Sequence, residues 1–271
     1  MSFITKKQGT LEYLVAEGIT APHCFTTRFG GVSQGHLASM NIGIHRGDDP
    51  ANVAENYRIL TQALGFSTED LVATHQTHSD IVRAVGREDR GVCLVEGASP
   101  ECDALVTNAP GVALVIYTAD CTPILLCGEK EDGSPVISAV HAGWRGTAKG
   151  IAGKAVEAMC ALGCRPESIK AAVGPHIGSC CYEVGGDLLE DVTVLRGSDF
   201  ARRHITPSPH ASGKFFCDMT GMNREILMEA GVPSSHIDVT DHCTYCMSDV
   251  YYSHRKTSGK RGAMGGGIVI L

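Results

Sequence analysis

The stretch Tyr117-Thr118-Ala119-Asp120-Cys121-Thr122 opens a pattern that His141-Ala142-Gly143-Trp144-Arg145-Gly146-Thr147 closes. Between them lie two apolar runs, 123–127 and 136–140, separated by the polar segment 128–134. The pattern reads as strand, turn and strand. An antiparallel pair of this kind brings Cys121, at the start of one strand, and His141, at the end of the other, to the same edge of a sheet. Thiolate and neutral imidazole both ligate zinc or copper, and a thiol beside an imidazole is also the minimal activated nucleophile. The single Trp of the chain follows three residues after that His, with Arg145 beside it.

Composition limits what surrounds this stretch. The chain has 271 residues, 43% of them hydrophobic, enough for a substantial core. The formal net charge is −7 with no long basic run, so nucleic acid is not an expected partner. No run of about 18 apolar residues exists, so no membrane span is expected. Residues 1–10 are polar and lack the apolar stretch of a signal peptide. Twelve Cys in such a chain read as mostly reduced thiols in a cytoplasm, with Cys127 and Cys160 as small buried side chains. No apolar stripe is left over for a partner, which points to a monomer.

Toward the N-terminus, 11–15 and 24–28 read as strands. They lead to Arg28-Phe29-Gly30-Gly31 and Met40-Asn41-Ile42-Gly43, where turns let Arg28 and Asn41 converge on a pocket or merely stay in solvent. Asp48-Asp49-Pro50 starts a helix with Val53, Tyr57, Leu60 and Leu64 on one face and Gly65 as its stop. A short strand, 71–73, runs into Thr74-His75-Gln76-Thr77-His78-Ser79. Read as extended chain, that segment points its two His to opposite sides, so at most one serves a given site. Asp103, before the strand 112–117, is read as a turn residue in preference to a site carboxylate.

Toward the C-terminus, Thr147 is expected to cap one helix over 148–162, with Gly163 as its stop. Arg145 and the free amides of that helix start make a natural anion site; the plainer reading pairs Arg145 with a surface acid. A strand at 169–173 precedes Gly174-Pro175-His176-Ile177-Gly178. The adjacent Cys180 and Cys181 are read as packing or pocket wall. The pattern over 188–212 is weak. A helix is expected over 218–230, a strand at 237–239 and a buried strand at 267–271. Cys243 and Cys246 form a Cys-x-x-Cys, but no second pair lies at suitable spacing, because Cys160 and Cys164 sit at a helix end. They are expected not to bind metal. Irregular alternation of strands and helices, with no linker and no repeat, argues for one mixed α/β domain over 1–271.

Several of these segments together resemble the YfiH family, also called the laccase-domain or multicopper polyphenol oxidase family. They are Gln76-Thr77-His78-Ser79, Thr118-Ala119-Asp120-Cys121, His141-Ala142-Gly143-Trp144-Arg145-Gly146, Gly174-Pro175-His176-Ile177-Gly178 and Tyr252-Ser253-His254-Arg255. The resemblance runs from Thr26 to the last strand. It implies an α+β fold, with two mixed β-sheets packed together and helices on the outside. It implies a metal site of two His and one Cys, usually zinc with copper as the alternative, which by motif falls on His78, Cys121 and His141. The same three residues and Arg145 are the implied catalytic group. Arg28, Asn41, Gln76, Asp120 and Arg255 are the expected substrate contacts. This chain has Thr77 and Ser79 where relatives have Val and Gly, and His254 where they have Tyr.

The resemblance implies phosphorolysis of adenosine, inosine and methylthioadenosine, together with deamination of adenosine. Laccase-like phenol oxidation and editing of peptidoglycan precursors are the alternatives, and a non-catalytic zinc-stabilised binding module is another. Phosphorolysis needs a phosphate site, assigned to Arg145 with help from Arg28. Deamination needs an activated water, which three N/S ligands on zinc with an open position can supply. The His-x-Glu…Pro-Cys-x-x-Cys signature of the usual zinc deaminases is absent. So is any His-x-His, which weighs against several copper sites.

Overall fold

The computed structural model describes residues 3–91 and 99–271. Its strands are β1 (Phe3–Gln8), β2 (Leu11–Ala16), β3 (His23–Thr26), β4 (Leu71–Ala73), β5 (Val82–Ala84), β6 (Ala104–Thr107), β7 (Val112–Thr118), β8 (Thr122–Glu129), β9 (Pro135–Ala142), β10 (Lys170–Val173), β11 (Glu183–Gly185), β12 (Ile205–Pro207), β13 (Lys214–Cys217), β14 (Ile237–Val239) and β15 (Met264–Ile270). Two six-stranded mixed sheets carry the fold, in the orders β1-β2-β3-β15-β7-β4 and β14-β10-β8-β9-β6-β5. A small third sheet has the order β11-β13-β12.

The two large sheets face each other, and period-two alternation shows it. Leu114 and Ile116 of β7 meet Leu105 of β6, Leu125 of β8 and Ala139 of β9 in one buried cluster between the sheets. Their neighbours Ala113 and Val115 point the other way, into a cluster with Val53, Tyr57 and Leu60 of helix α1 (Pro50–Leu64). On the far side of the second sheet, Ile124, Leu126 and Val140 pack against Ala152, Ala155 and Met159 of a later helix and Ile226 of another. Strands buried on both faces lose the polar alternation, which is why 112–117, 123–127 and 136–140 read as continuous apolar runs. The architecture is mixed α+β, with helices outside a pair of mixed sheets, as the resemblance implied.

Several elements match their sequence reading. Asp49 caps α1, and Gly65 ends it in a left-handed turn at φ 82°. The pair β8 and β9 is the expected hairpin, in register Thr122 with Ala142 and Pro123 with His141. The single helix expected over 148–162 is instead two: α2 (Trp144–Ala148), capped by Gly143, and α3 (Ile151–Ala161). Gly150, at φ 81°, breaks the helical path between them. Thr147 caps nothing; its side chain is buried and bonded to Asn223. The weak stretch 188–212 holds α4 (Gly186–Arg196) and α5 (Ser198–His204), and α6 (Met219–Glu229) follows with Asp218 as its cap. A four-residue helix, α7 (His254–Thr257), precedes β15. Among the described residues no helix is long and apolar enough to cross a membrane.

The chain passes from the first sheet to the second twice at one end of the sandwich. It does so between β4 and β5, over 74–81, and between β7 and β8, over 119–121. Both crossings carry residues singled out from the sequence.

A candidate metal centre and its cavity

Cys121 sits in the second crossing. Asp120 before it adopts φ 85°, and the Thr118 hydroxyl donates to the Cys121 carbonyl, so the chain turns sharply from one sheet into the other. One carboxylate oxygen of Asp120 accepts from the Thr244 hydroxyl at 2.6 Å and the other from the Arg255 amide at 2.7 Å. Both oxygens therefore hold the turn.

His78 sits in the first crossing, and the segment is not extended there: His78 has φ 59°. The cause is Asp103, whose carboxylate is fully buried. Its Oδ2 accepts from the amides of Thr77 at 3.1 Å and Ser79 at 2.7 Å and from the Ser79 hydroxyl at 2.7 Å. Its Oδ1 accepts from the His78 amide at 3.1 Å and from His141 Nδ1 at 2.7 Å. Asp103 lies at a bend, as read, but its weight is in the site: it wraps the His78 loop around itself and orients His141. Ser79 adds a donor here that a glycine could not.

With Nδ1 of His141 committed to Asp103, Nε2 faces the other two donors. Ligand atoms of His78, Cys121 and His141 all lie within 4.8 Å of one another. Cys121 Sγ is 3.8 Å from His78 Nε2, and the two imidazole rings meet edge to face at 5.0 Å. Burial resists charge at Cys121, yet the His141 and His78 imidazoles pull its thiol well below the usual range. Burial likewise resists charge at His141, yet Cys121 and Asp103 raise it. The protein thus favours the thiolate, the form that ligates metal. Two nitrogens and one thiolate fit zinc, and they also tolerate copper.

Gly143 gives this group its room. A Cβ there would lie 2.8 Å from His78 Cδ2 and 3.6 Å from Cys121 Sγ. Gly143→Ala is expected to push the His78 ring aside and weaken zinc binding about 10-fold or more, as measured against a competing chelator. An unchanged affinity would show that the ring has slack.

A cavity of about 590 Å³ opens beside the three side chains. Its described walls include Ile44, His45, Arg46, His75, Gln76, Tyr117, Ala119, Arg261 and Ala263. Gln76 is there, but its amide is spent on the Tyr117 backbone, at 2.6 Å and 2.8 Å. The other expected contacts are elsewhere. Asn41 is buried and ties Gly43 to Ala263 through its Oδ1, shaping the wall from behind. Arg28 is bound to the carbonyls of Ala38 and Ser248, and Arg255 to that of Glu183. Arg145 is exposed, lies 4.2 Å over the Trp144 ring and is not among the cavity residues. A five-residue helix also offers too few aligned peptides for the expected anion site.

Two arginines that the sequence reading passed over are in the cavity. Arg261 Nε is buried without a partner. Burial and the like charge of Arg46 push the Arg261 guanidinium down to about 10. Neither residue stands in a motif-like pattern, so only the fold brings them together.

A second group also departs from expectation. Cys180, Cys181, Cys243 and Cys246 place their sulfurs within 4.8 Å of one another. Cys180 and Cys181, read as packing or pocket wall, lie in space beside the Cys-x-x-Cys read as lacking a second pair at suitable spacing. The partner pair is adjacent in sequence, a spacing that usually separates side chains.

Known proteins resemble the chain over most of its length. A family model described as multi-copper polyphenol oxidoreductase laccase matches residues 22–271. A purine nucleoside phosphorylase of Deinococcus radiodurans is 40% identical over 257 residues, covering 94% of this chain and 91% of that one. Adenosine deaminase RL5, from an unknown prokaryotic organism, is 33% identical over 256 residues, covering 93% and 95%. The crystal structure of the hypothetical protein YfiH from Bacillus licheniformis matches with a TM-score of 0.90 at 29% identity, covering 98% and 99%.

Proposed function

The chain belongs to the family described as multi-copper polyphenol oxidoreductase laccase, and on that premise we propose that it is a zinc-dependent purine nucleoside enzyme. It cleaves adenosine, inosine and methylthioadenosine with phosphate, and it deaminates adenosine. The observation that carries this reading is the cavity, which joins the His78, Cys121 and His141 group to Arg46 and Arg261. Its volume lies within the range of about 300–1,000 Å³ typical of small-molecule sites.

Arg46 and Arg261 take the phosphate. Two like charges in a partly buried space repel, and an anion between them removes that cost. A guanidinium with a free, buried N–H offers phosphate a paired grip that an ammonium cannot copy. The phosphate oxygen bonds to the ribose anomeric carbon as the bond to the purine breaks. His45 and His75, in the same wall, are the groups placed to pass a proton to the departing base. His78, Cys121 and His141 would hold the zinc, which supplies Lewis acidity at an open position.

Among the described residues, the groups that could hold a metal are one of two His and one Cys and one of four Cys. Neither is a multi-histidine copper cluster, which weighs against a multicopper oxidase. Incubation with adenosine and phosphate is the test. Ribose 1-phosphate is the expected product, with inosine from adenosine when phosphate is left out. Phenol oxidation with no nucleoside cleavage would support the oxidase reading instead. No turnover of either kind would leave a binding module.

Arg261→Lys is expected to raise KM for phosphate about 10- to 100-fold, the loss of a charged hydrogen bond, while zinc content and deamination change little. Arg145→Lys, on the exposed face, is expected to leave phosphate dependence unchanged. The reverse pattern would return the phosphate to Arg145.

A further inference from the structure

We propose that Cys180, Cys181, Cys243 and Cys246 bind a second zinc ion, a four-thiolate structural centre that braces the backbone behind Cys121. These four thiols do not line the cavity, so the inference stands apart from the nucleoside chemistry.

Topology brings them together. The parallel neighbours β10 and β14 end side by side, and each runs into one of the two Cys-bearing loops. An isolated bridge between His176 and Cys243 continues their pairing. The adjacent pair and the Cys-x-x-Cys then meet at one end of the sheet.

The spacing suits a metal. Cys246 Sγ lies 3.4 Å from Cys181 Sγ and 3.8 Å from Cys180 Sγ. Tetrahedral zinc with Zn–S bonds of about 2.3 Å sets sulfur–sulfur edges at about 3.8 Å. A disulfide would need about 2.05 Å. The backbone is arranged for a thiolate as well. The Gly178 amide donates to Cys243 Sγ at 3.2 Å. Gly178 leaves the group space to close: a Cβ there would lie 3.3 Å from Cys180 Sγ.

The consequence reaches the first centre. Thr244, inside the Cys-x-x-Cys, donates its amide to the His176 carbonyl at 2.9 Å and its hydroxyl to Asp120 Oδ1 at 2.6 Å. The Ile177 amide donates to the Asp120 carbonyl at 3.0 Å. A metal joining the two loops would therefore clamp both segments that hold Asp120 in its left-handed turn, and Cys121 follows directly.

Zinc analysis and thiol mapping test this together. Wild-type protein is expected to carry about two zinc ions per chain, and the Cys181→Ser/Cys246→Ser variant about one. Should that variant fail to fold, alkylation of the wild type decides. Cys180 and Cys246 are exposed, so without a metal iodoacetamide would reach both. They are expected to resist it until a zinc chelator is added, and then to react. Fast labelling before chelation would overturn the proposal. So would protection that survives the chelator and yields only to dithiothreitol, because that marks a disulfide.

Discussion

Cys121→Ser is expected to strip the metal from the His78, Cys121 and His141 group and to abolish nucleoside turnover in any practical assay. A serine hydroxyl is nearly isosteric, but it stays protonated at neutral pH and cannot take the place of a thiolate ligand. The change also removes the negative partner that helps raise the His141 imidazole. A Lewis acid contributes several kcal/mol to a transition state of this kind, which corresponds to a factor of about 10³ or more in rate. Folding should be little affected, because the side chain is only partly buried. The measurement is zinc content, phosphorolysis and circular dichroism on one preparation. With a second zinc on the four-Cys group, the metal content should fall by one equivalent and not to zero. Full zinc retention in a folded Cys121→Ser protein would sink the ligand assignment. Retained metal with lost turnover would instead mark Cys121 as a nucleophile.

The parts of this molecule that were legible in the sequence are those encoded locally. The stripe Val53, Tyr57, Leu60 and Leu64 with Asp49 and Gly65 at its ends specifies a helix without help from the rest of the chain. The apolar runs around the polar turn specify the hairpin that pairs Pro123 with His141. The break at Gly150 was harder to see, because Ala148 before it and Ile151 and Ala152 after it keep apolar residues running across the gap. The stretch that became α4 and α5 was weak because those helices bury little on a partly solvated face: Val194 and Leu195 are exposed.

The cavity was the least legible part, for a topological reason. Its walls come from 43–46, 74–78, Ser99, 117–121, His141 and 261–263, stretches far apart in sequence that only the fold brings together. A motif announces residues close in sequence; Arg46 and Arg261 are joined by the fold alone. Arg145 shows the converse. It stands inside the most recognisable motif of the chain, yet its guanidinium rests on Trp144 outside the cavity. Asn41 and Asp120 likewise stand in motifs but spend their polar atoms on holding the chain, Asn41 on Gly43, Ala263 and Asp48 behind the cavity wall and Asp120 on the Thr244 hydroxyl and the Arg255 amide at the Cys121 turn.

Asp103→Asn is expected to damage both stability and metal binding, and more severely than its near-identical shape suggests. Oδ1 takes two donors, from His78 and His141, and Oδ2 takes three, from Thr77 and Ser79. Whichever way the Asn amide turns, its NH₂ faces at least two N–H donors in a fully buried site. Leaving such groups unpaired and removing a buried charge should cost about 3–5 kcal/mol, read from urea unfolding of metal-free protein. Zinc affinity should fall about 10- to 100-fold, because the carboxylate orients His141 and fixes the loop of His78. Acid behaviour separates charge from shape. Burial works against the Asp103 charge, but His141 and Ser79 hold its carboxyl down at about 2. An unfolded Asp titrates near about 3.9. The folded value is the lower one, so this stabilisation is complete above about pH 4 and is lost as pH falls toward about 2. The Asn variant should lack that limb of the stability profile. A variant with wild-type zinc affinity and an unaltered acid limb would show that Asp103 merely fills a bend.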